Sequence, residues 1–319
     1  MSSIAVNGIS HAKAVRSTSR LWIVLAFFAI YVIWGTTYLA IRYAVETIPP
    51  LITAGVRHSI AGMILLAIAW SRGFRPRREH FAAGAVLGAL FFLIGHGSLH
   101  WAEQYVSSGF AALLVATEPL WILLIGAAMR QQQINWLNGA GLLLGLAGVA
   151  ILTSRELTSR TSLTWAIVAV LVGAASWAVG VCISPRLRLP EDLVGRAAIP
   201  LLCGAPMLLL GAVFSGEFSS LHWSAVSTKS LLGLAYLIIF GSIVAFTAYS
   251  WLLQRCSATL VATHTFVNPL VAVLIGWLWA SEPLSMRVVV ATTIILGSII
   301  LTQRGDRHAE LQAEALQSD

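Results

Sequence analysis

The chain has 319 residues, of which 58% are hydrophobic and 10% are charged, with a formal net charge of +7. Water-soluble globular domains carry about 25% charged residues, so this composition excludes a soluble enzyme or a soluble binding module as the main body. The positive charge takes its meaning from where it falls along the chain.

A helix crosses a ~30 Å hydrocarbon core with about 20 apolar residues. Ten stretches meet that need: 21–41, 50–70, 81–103, 106–129, 134–152, 163–184, 193–214, 230–253, 258–280 and 285–303. The period-2 alternation of a membrane barrel is absent, so the expected fold class is an all-α integral membrane protein with ten transmembrane helices. Residues 1–20 are polar and basic and read as a cytoplasmic N-terminal segment. Leu21–Ile41 is too long for a signal-peptide core and lacks a small-residue cleavage site, which makes it the first span with the N-terminus retained.

With that end inside, the inner segments hold Lys13, Arg16, Arg20, Arg72, Arg75, Arg77, Arg78, Arg130, Arg186, Arg188, Arg196, Arg255, Arg304 and Arg307, and the outer segments Arg42, Arg155, Arg160, Lys229 and Arg287. Fourteen against five places both termini in the cytoplasm. The run RGFRPRR at 72–78 is then a topology anchor facing the lipid bilayer, and no nucleic-acid partner is expected.

Span one ends at ETIPP, where Pro49-Pro50 enforces an extended turn and suits the start of span two. Arg57 lies ~10 Å along the helix from Pro50, shallow enough to snorkel outward. Span three is the most polar. His96, His100 and Glu103 fall at i, i+4 and i+7 and line one helix face, with Glu103 and Gln104 near the wet outer end. Gly84 and Gly88 form a small-xxx-small packing face there, and Gly141, Gly145 and Gly148 form another in span five, open either to a homodimer or to an intramolecular seam.

The fourth span, SSGFAALLVATEPLWILLIG, carries Glu118-Pro119 near its middle, and 150 residues later ATLVATHTFVNPLVAVLIG carries Asn268-Pro269. A mid-membrane carboxylate must face the bundle interior. The proline removes a backbone donor and frees a carbonyl one turn back, near Val115. His264 stands one turn before Asn268 on the same face. Pro119 and Pro269 are thus candidate helix breaks or gating points. Either carboxylate and kink serve the fold alone, or they mark a polar cavity. Trp34 with Trp177, and Trp101 with Trp251, also recur between the halves, and Tyr38 lies one turn from Trp34.

These matches describe a duplication of five spans: a first repeat over 21–152, a polar linker over 153–162, a second repeat over 163–303 and a cytoplasmic tail over 304–319. Five is odd, so the second copy enters the membrane upside down, the inverted repeat of many secondary transporters. Trp34, Tyr38, His96, His100, Trp101, Glu118, Trp177, Trp251, His264 and Asn268 are the candidate substrate-binding residues for a small molecule. No Walker loop, HExxH, GxSxG or acidic metal cluster occurs, so no catalysis, metal or cofactor is expected. Cys182, Cys203 and Cys256 follow no disulfide or metal spacing.

The ordered words WGTTYLAIR, ETIPP, LITAGVR, LLVATEPLWILLIG, VNPLVAVLIGWLWASEPLS and GSIILT resemble an EamA-type member of the drug/metabolite transporter superfamily. The resemblance implies two inverted five-helix halves around a central cavity, in the bacterial inner membrane, and export of amino acids or other small metabolites. Multidrug efflux is an alternative, and a non-transporting membrane sensor or assembly factor is another. Trp34-Gly35 and Glu118-Pro119 match the family's first-span and fourth-span words. Glu282 matches a loop glutamate after span nine, whereas AAMRQQQIN after span four lacks its counterpart, which favours a capping role for Glu282. The span-three histidines match no family word.

Overall fold

A computed structural model describes residues 20–131, 134–154, 161–253, 255–256, 261 and 263–318, and for residues 161–162, 250, 253, 266 and 306–318 the backbone alone. The predicted N-terminal segment up to residue 19, most of the 153–162 linker and the start of the ninth predicted span lie outside the described residues.

The regular structure of the described residues is all helix, with no strand. We number the apolar helices α1 (Arg20–Ala44), α2 (Pro50–Ser71), α3 (Arg78–Ala102), α4 (Ser108–Ala128), α5 (Trp136–Thr153), α6 (Leu163–Arg186), α7 (Leu193–Phe214), α8 (Thr228–Tyr249), α9 (His264–Ala280) and α10 (Met286–Ser318). Among the described residues nine of these are long and apolar enough to cross a membrane, and α9 contributes a shorter apolar stretch, Val267–Ala280. In hydrocarbon every backbone polar group must be satisfied within the protein, which is why the apolar runs become helices.

Helix starts follow cap chemistry. Ser107, Asn135, Asp192 and Ser227 each accept a backbone N–H from three residues downstream, at 3.3, 3.0, 2.6 and 3.1 Å. Pro50 opens α2 at a position whose N–H has no intrahelical partner to lose. Two stretches depart from α-helix: Gly88–His96 within α3 and Leu237–Val244 within α8 are π-helical. Their wider turns release carbonyls from the regular ladder, and side chains of other helices meet them. Ser176 donates to the Leu90 carbonyl (2.9 Å), and Trp34 Nε1 donates to that of Gly241 (3.0 Å).

Helix neighbours form a regular set. Helix α1 packs on α8 and α9, α6 on α3 and α4, α2 on α8, α7 on α3, α2 on α7, and α5 on α10. Replacing each helix by the one five places along maps these pairs onto one another, as it does α4 with α9, whereas the weaker contact of α1 with α4 has no comparable counterpart between α6 and α9. Glycines allow the closest crossings. A Cβ at Gly88 would meet the backbone of Gly204 and Pro200 in α7, and one at Gly35 would meet Val271 in α9. The glycine face of α5, Gly141, Gly145 and Gly148, is taken up inside the chain by Thr302, Ser298 and Ile295 of α10, with Leu120 of α4 beside it.

The largest core cluster joins α1, α3, α4, α5, α6, α8 and α10 through residues such as Ile41, Leu99, Leu113, Leu114, Leu152, Ile167, Leu237 and Ile299. Outward faces carry large apolar side chains, among them Trp22, Leu143, Trp165, Phe214, Leu232 and Trp279. Such a surface suits lipid and not water. The chain is a multi-pass membrane protein.

Candidate functional site

The polar interior lies where α1, α2, α3, α6 and α8 meet. Arg57 of α2 is 4% exposed and its Nε donates to the Ser242 hydroxyl at 3.0 Å, in the π-helical stretch of α8. The expected outward snorkelling does not occur, because a side chain from the α7–α8 connection covers that end of α2. Glu217 Oε2 accepts from the first backbone N–H groups of α2, Leu51 at 2.9 Å and Ile52 at 3.0 Å, and its Oε1 accepts from Leu51 at 3.2 Å. Pro50 is therefore already under protein, and about two turns further Arg57 is deep inside.

Beside Arg57, His58 is 1% exposed, and its Nε2 lies 2.9 Å from Nδ1 of His96, one of the pair donating. The Trp177 indole of α6 stacks on the His96 ring, with centroids 5.2 Å apart and planes 23° apart, and Phe92 meets the His58 ring at 4.6 Å. One turn along, His100 is fully buried. Its Nδ1 donates to the His96 carbonyl at 2.7 Å, which fixes the tautomer and leaves Nε2 as an acceptor with no partner among the described residues. Glu103 follows, and it is not wet. It is 2% exposed and neither carboxyl oxygen has a hydrogen-bond partner among the described residues. The start of α4 and the α9–α10 connection close over the end of α3, and the exposed neighbour is Gln104.

A second, aromatic group adjoins the first. The Trp34 ring lies 5.3 Å from Tyr249, 5.6 Å from Phe246 and 5.0 Å from His264. His264 Nδ1 donates to the Val261 carbonyl at 2.9 Å, and Tyr31 OH lies 2.6 Å from Thr263 Oγ1. Asn268 is buried. With its amide oriented to satisfy both ends, it donates to the carbonyls of His264 and Tyr31 at 3.1 and 3.2 Å. Glu118 opens the second half of α4, which breaks at Ala116–Thr117, and it lies within electrostatic range of Tyr38 and Tyr249. Pro119 sits in the first turn after that break, whereas Pro269 lies inside α9.

The sequence candidates therefore divide. Trp34, Tyr38, Glu118, His264 and Asn268 gather around α1, and His96, His100 and Trp177 gather around α2 and α3. Trp101 joins neither group, and Trp251 packs at the edge of the group around α1, in one cluster with Tyr31, Trp34 and Tyr249. Trp101 lines an open vestibule of about 630 Å³ at the end that carries the α1–α2 turn, with Pro49, Leu93, Ser98, Gln104 and Glu217. Trp251 lies beyond α8 with the Arg255 guanidinium 4.2 Å over its ring. Arg57, His58, Ser242 and Tyr249 were missed. Arg57 and His58 carry a readable signal, two ionisable residues inside an apolar span, which the depth argument from Pro50 set aside. Among the described residues no three His, Cys, Asp or Glu side chains are grouped as a metal site.

A multi-pass helical bundle whose interior holds an arginine, four histidines, two carboxyls and aromatic walls belongs to the membrane transporter class in its architecture. Comparison with known proteins gives the family. The EamA-like transporter family matches the chain twice, over residues 21–154 and 164–304, and the chain belongs to it. It is 36% identical over 284 residues to the uncharacterized inner membrane transporter YedA of Escherichia coli (strain K12), covering 88% of this chain and 90% of that one. It is 27% identical over 285 residues to the uncharacterized transporter YvbV of Bacillus subtilis (strain 168), covering 89% and 91%. A solved crystal structure of 23% sequence identity shares the fold, with a TM-score of 0.62 over 91% of this chain and 99% of that one.

Proposed function

We propose that the protein is a secondary transporter that exports amino acids or other small metabolites across the bacterial inner membrane, with both termini in the cytoplasm. Transport would proceed by alternating access of two inverted five-helix repeats about a midplane centre. The observation that carries this reading is the buried polar centre itself, which draws on helices of both family-matched segments. Unsatisfied ionisable groups at that depth are costly and mark solute or ion pathways. The exchange symmetry of the helix neighbours and the two π-helical stretches, which begin at Gly88 and Leu237, support the repeat. Pro119 follows the break in α4 and Pro269 lies inside α9, and the vestibule supplies an approach from one end.

The test is counterflow of labelled amino acids in proteoliposomes of the purified protein. Saturable exchange supports the reading; its absence across amino acids and small metabolites, with correctly inserted protein, removes it. A single cysteine at Ser98, which lines the vestibule, separates a transporter from a static sensor. In a transporter its labelling rate responds to solute, and in a static bundle it does not. If Glu118 carries coupling, Glu118→Gln flattens the pH dependence of flux.

A further inference from the structure

Helix α2 ends in an ordered turn. Gly73 takes the left-handed conformation, φ 95°, and its N–H donates to the Trp70 carbonyl at 3.0 Å, while the Phe74 N–H donates to that of Ala69 at 3.0 Å. This is the Schellman arrangement, which satisfies the last carbonyls of a helix. The Phe74 ring then lies over Gly195 in the first turn of α7, so close that a Cβ there would strike it. The segment 72–78 is thereby fastened to the start of α7 on its way from α2 to α3.

That segment holds its charge in a fixed frame. The Arg75 guanidinium lies 4.8 Å over the Trp70 ring, and its Nη1 donates to the Trp70 and Phe74 carbonyls at 2.9 Å each. Arg77, and Arg188 from the α6–α7 connection, straddle the Glu79 carboxylate at 3.6 and 3.0 Å. Among the described residues no carboxylate lies within 4.0 Å of Arg72, Arg75 or Arg78. Five exposed guanidiniums thus share one carboxylate.

Topology requires only a count of charges. It does not require a guanidinium held on carbonyls over an indole, nor an arginine brought in from another connection. The surroundings of the frame name its ligand. Trp70 ends α2, two turns from the exposed Met63 on one helix face, and Phe81 opens α3; they are 50% and 41% exposed. A guanidinium fork matches phosphate oxygens, and an apolar wall matches acyl chains. Free phosphate would use the fork alone, and a neutral lipid the wall alone.

We propose that Arg75, Arg77 and Arg188 bind the headgroup phosphate of an anionic phospholipid, whose chains lie against Trp70 and Phe81. Basic pockets between spanning helices hold such headgroups. The bound headgroup joins the segment 72–78 to Arg188, and these belong to different family-matched segments. The exposed Glu79–Arg188 pair is a weak tie by itself, because solvent and salt screen it. Occupancy of the site should therefore stabilise the whole chain.

The experiment titrates the purified full chain, in an uncharged detergent, with phosphatidylglycerol, phosphatidylcholine of the same chains and glycerol phosphate. Thermal unfolding and native mass spectrometry follow the binding. Phosphatidylglycerol should bind at least about tenfold more tightly than the other two and raise the unfolding midpoint. An arginine near an anionic surface contributes about fivefold in affinity, so Arg75→Gln and Arg188→Gln should each weaken binding by about that factor. Arg255→Gln is the control: its guanidinium also lies over an indole, 4.2 Å from Trp251, but on a different connection. It should leave binding within about twofold. Phosphatidylcholine binding as tightly as phosphatidylglycerol overturns the proposal. So does an equal loss in Arg255→Gln, which reduces the effect to net charge. Glycerol phosphate binding as tightly as the lipid assigns the site to free phosphate and overturns it too. If a variant fails to fold, the comparison of the three ligands on the unmodified protein decides alone.

Discussion

Trp34 and Arg57 grip consecutive residues of one π-helical stretch. The indole Nε1 donates to the Gly241 carbonyl and the guanidinium Nε to the Ser242 hydroxyl, each at 3.0 Å. One comes from α1 and the other from α2, so the irregular turn of α8 is where three helices are pinned together. A regular α-helix would keep the Gly241 carbonyl for its own ladder.

Because both contacts fix the same turn, they should be coupled. Trp34→Phe removes the indole donor and should cost about 1 kcal/mol of stability, and Ser242→Ala a similar amount. In a double-mutant cycle the two should be non-additive by at least ~0.5 kcal/mol. Unfolding titrations in mixed micelles measure it, and strict additivity would mean that the turn is held by its packing alone.

Glycine substitutions should divide by site and not by helix propensity. Gly88→Ala drives a methyl into the backbone of α7 and should cost about 1–3 kcal/mol. Gly139→Ala in α5 meets nothing within 4 Å and should gain up to about 1 kcal/mol from helix propensity. Thermal unfolding of the two variants side by side is the check.

Glu282 gathers four donors. It accepts from the Ser108 N–H and hydroxyl at 2.8 Å each, the Gly109 N–H at 3.1 Å and Arg42 at 3.0 Å. Removing a buried, charged acceptor of this kind should cost about 2–3 kcal/mol in Glu282→Ala. Glu282→Gln, which keeps one acceptor, should cost less. Equal losses in the two variants would assign the effect to packing.

Glu217 lies outside the spanning helices, and burial raises its pKa above the usual 4.5 despite two backbone donors. A carboxyl whose folded pKa is raised binds protons more tightly folded than unfolded, so stability rises as pH falls through the window just above 4.5 and levels off outside it. The full chain should show that slope in detergent, and Glu217→Gln should lack it. A slope that survives the substitution belongs to another group.

Much of this arrangement was written in the residue order. The apolar runs and the closeness implied by Gly84 and Gly88 are local signals that geometry does not override. Helix α4 breaks at Ala116–Thr117, just before Pro119, whose missing N–H cannot extend the ladder, whereas α9 runs through Pro269. The π-helical stretches left no trace, since no residue type requires them and they arise from packing against other helices. Arg57 and Glu103 were placed near water by counting residues from a helix end. That count assumes the end is wet, and here Glu217 and the α9–α10 connection cover both ends. Trp101 and Trp251 recur at matching positions yet differ in surroundings, Trp101 lining the vestibule and Trp251 packing at the edge of the aromatic group, so recurrence reports a shared scaffold more directly than a shared pocket.

The reach of Glu282 also constrains how the chain is built. Ser281 turns through the left-handed region, φ 54°, to aim that carboxylate back at α4, and Gly276 leaves room for it to pass. The donor at Ser108 is 174 residues upstream. During synthesis, α4 therefore enters the bilayer with its first amides unfinished, and they stay so until the ninth helix has followed. The early half of the protein waits for its closing clasp from the late half, so a ribosome that stalls before Glu282 leaves behind a bundle that is inserted but not fastened.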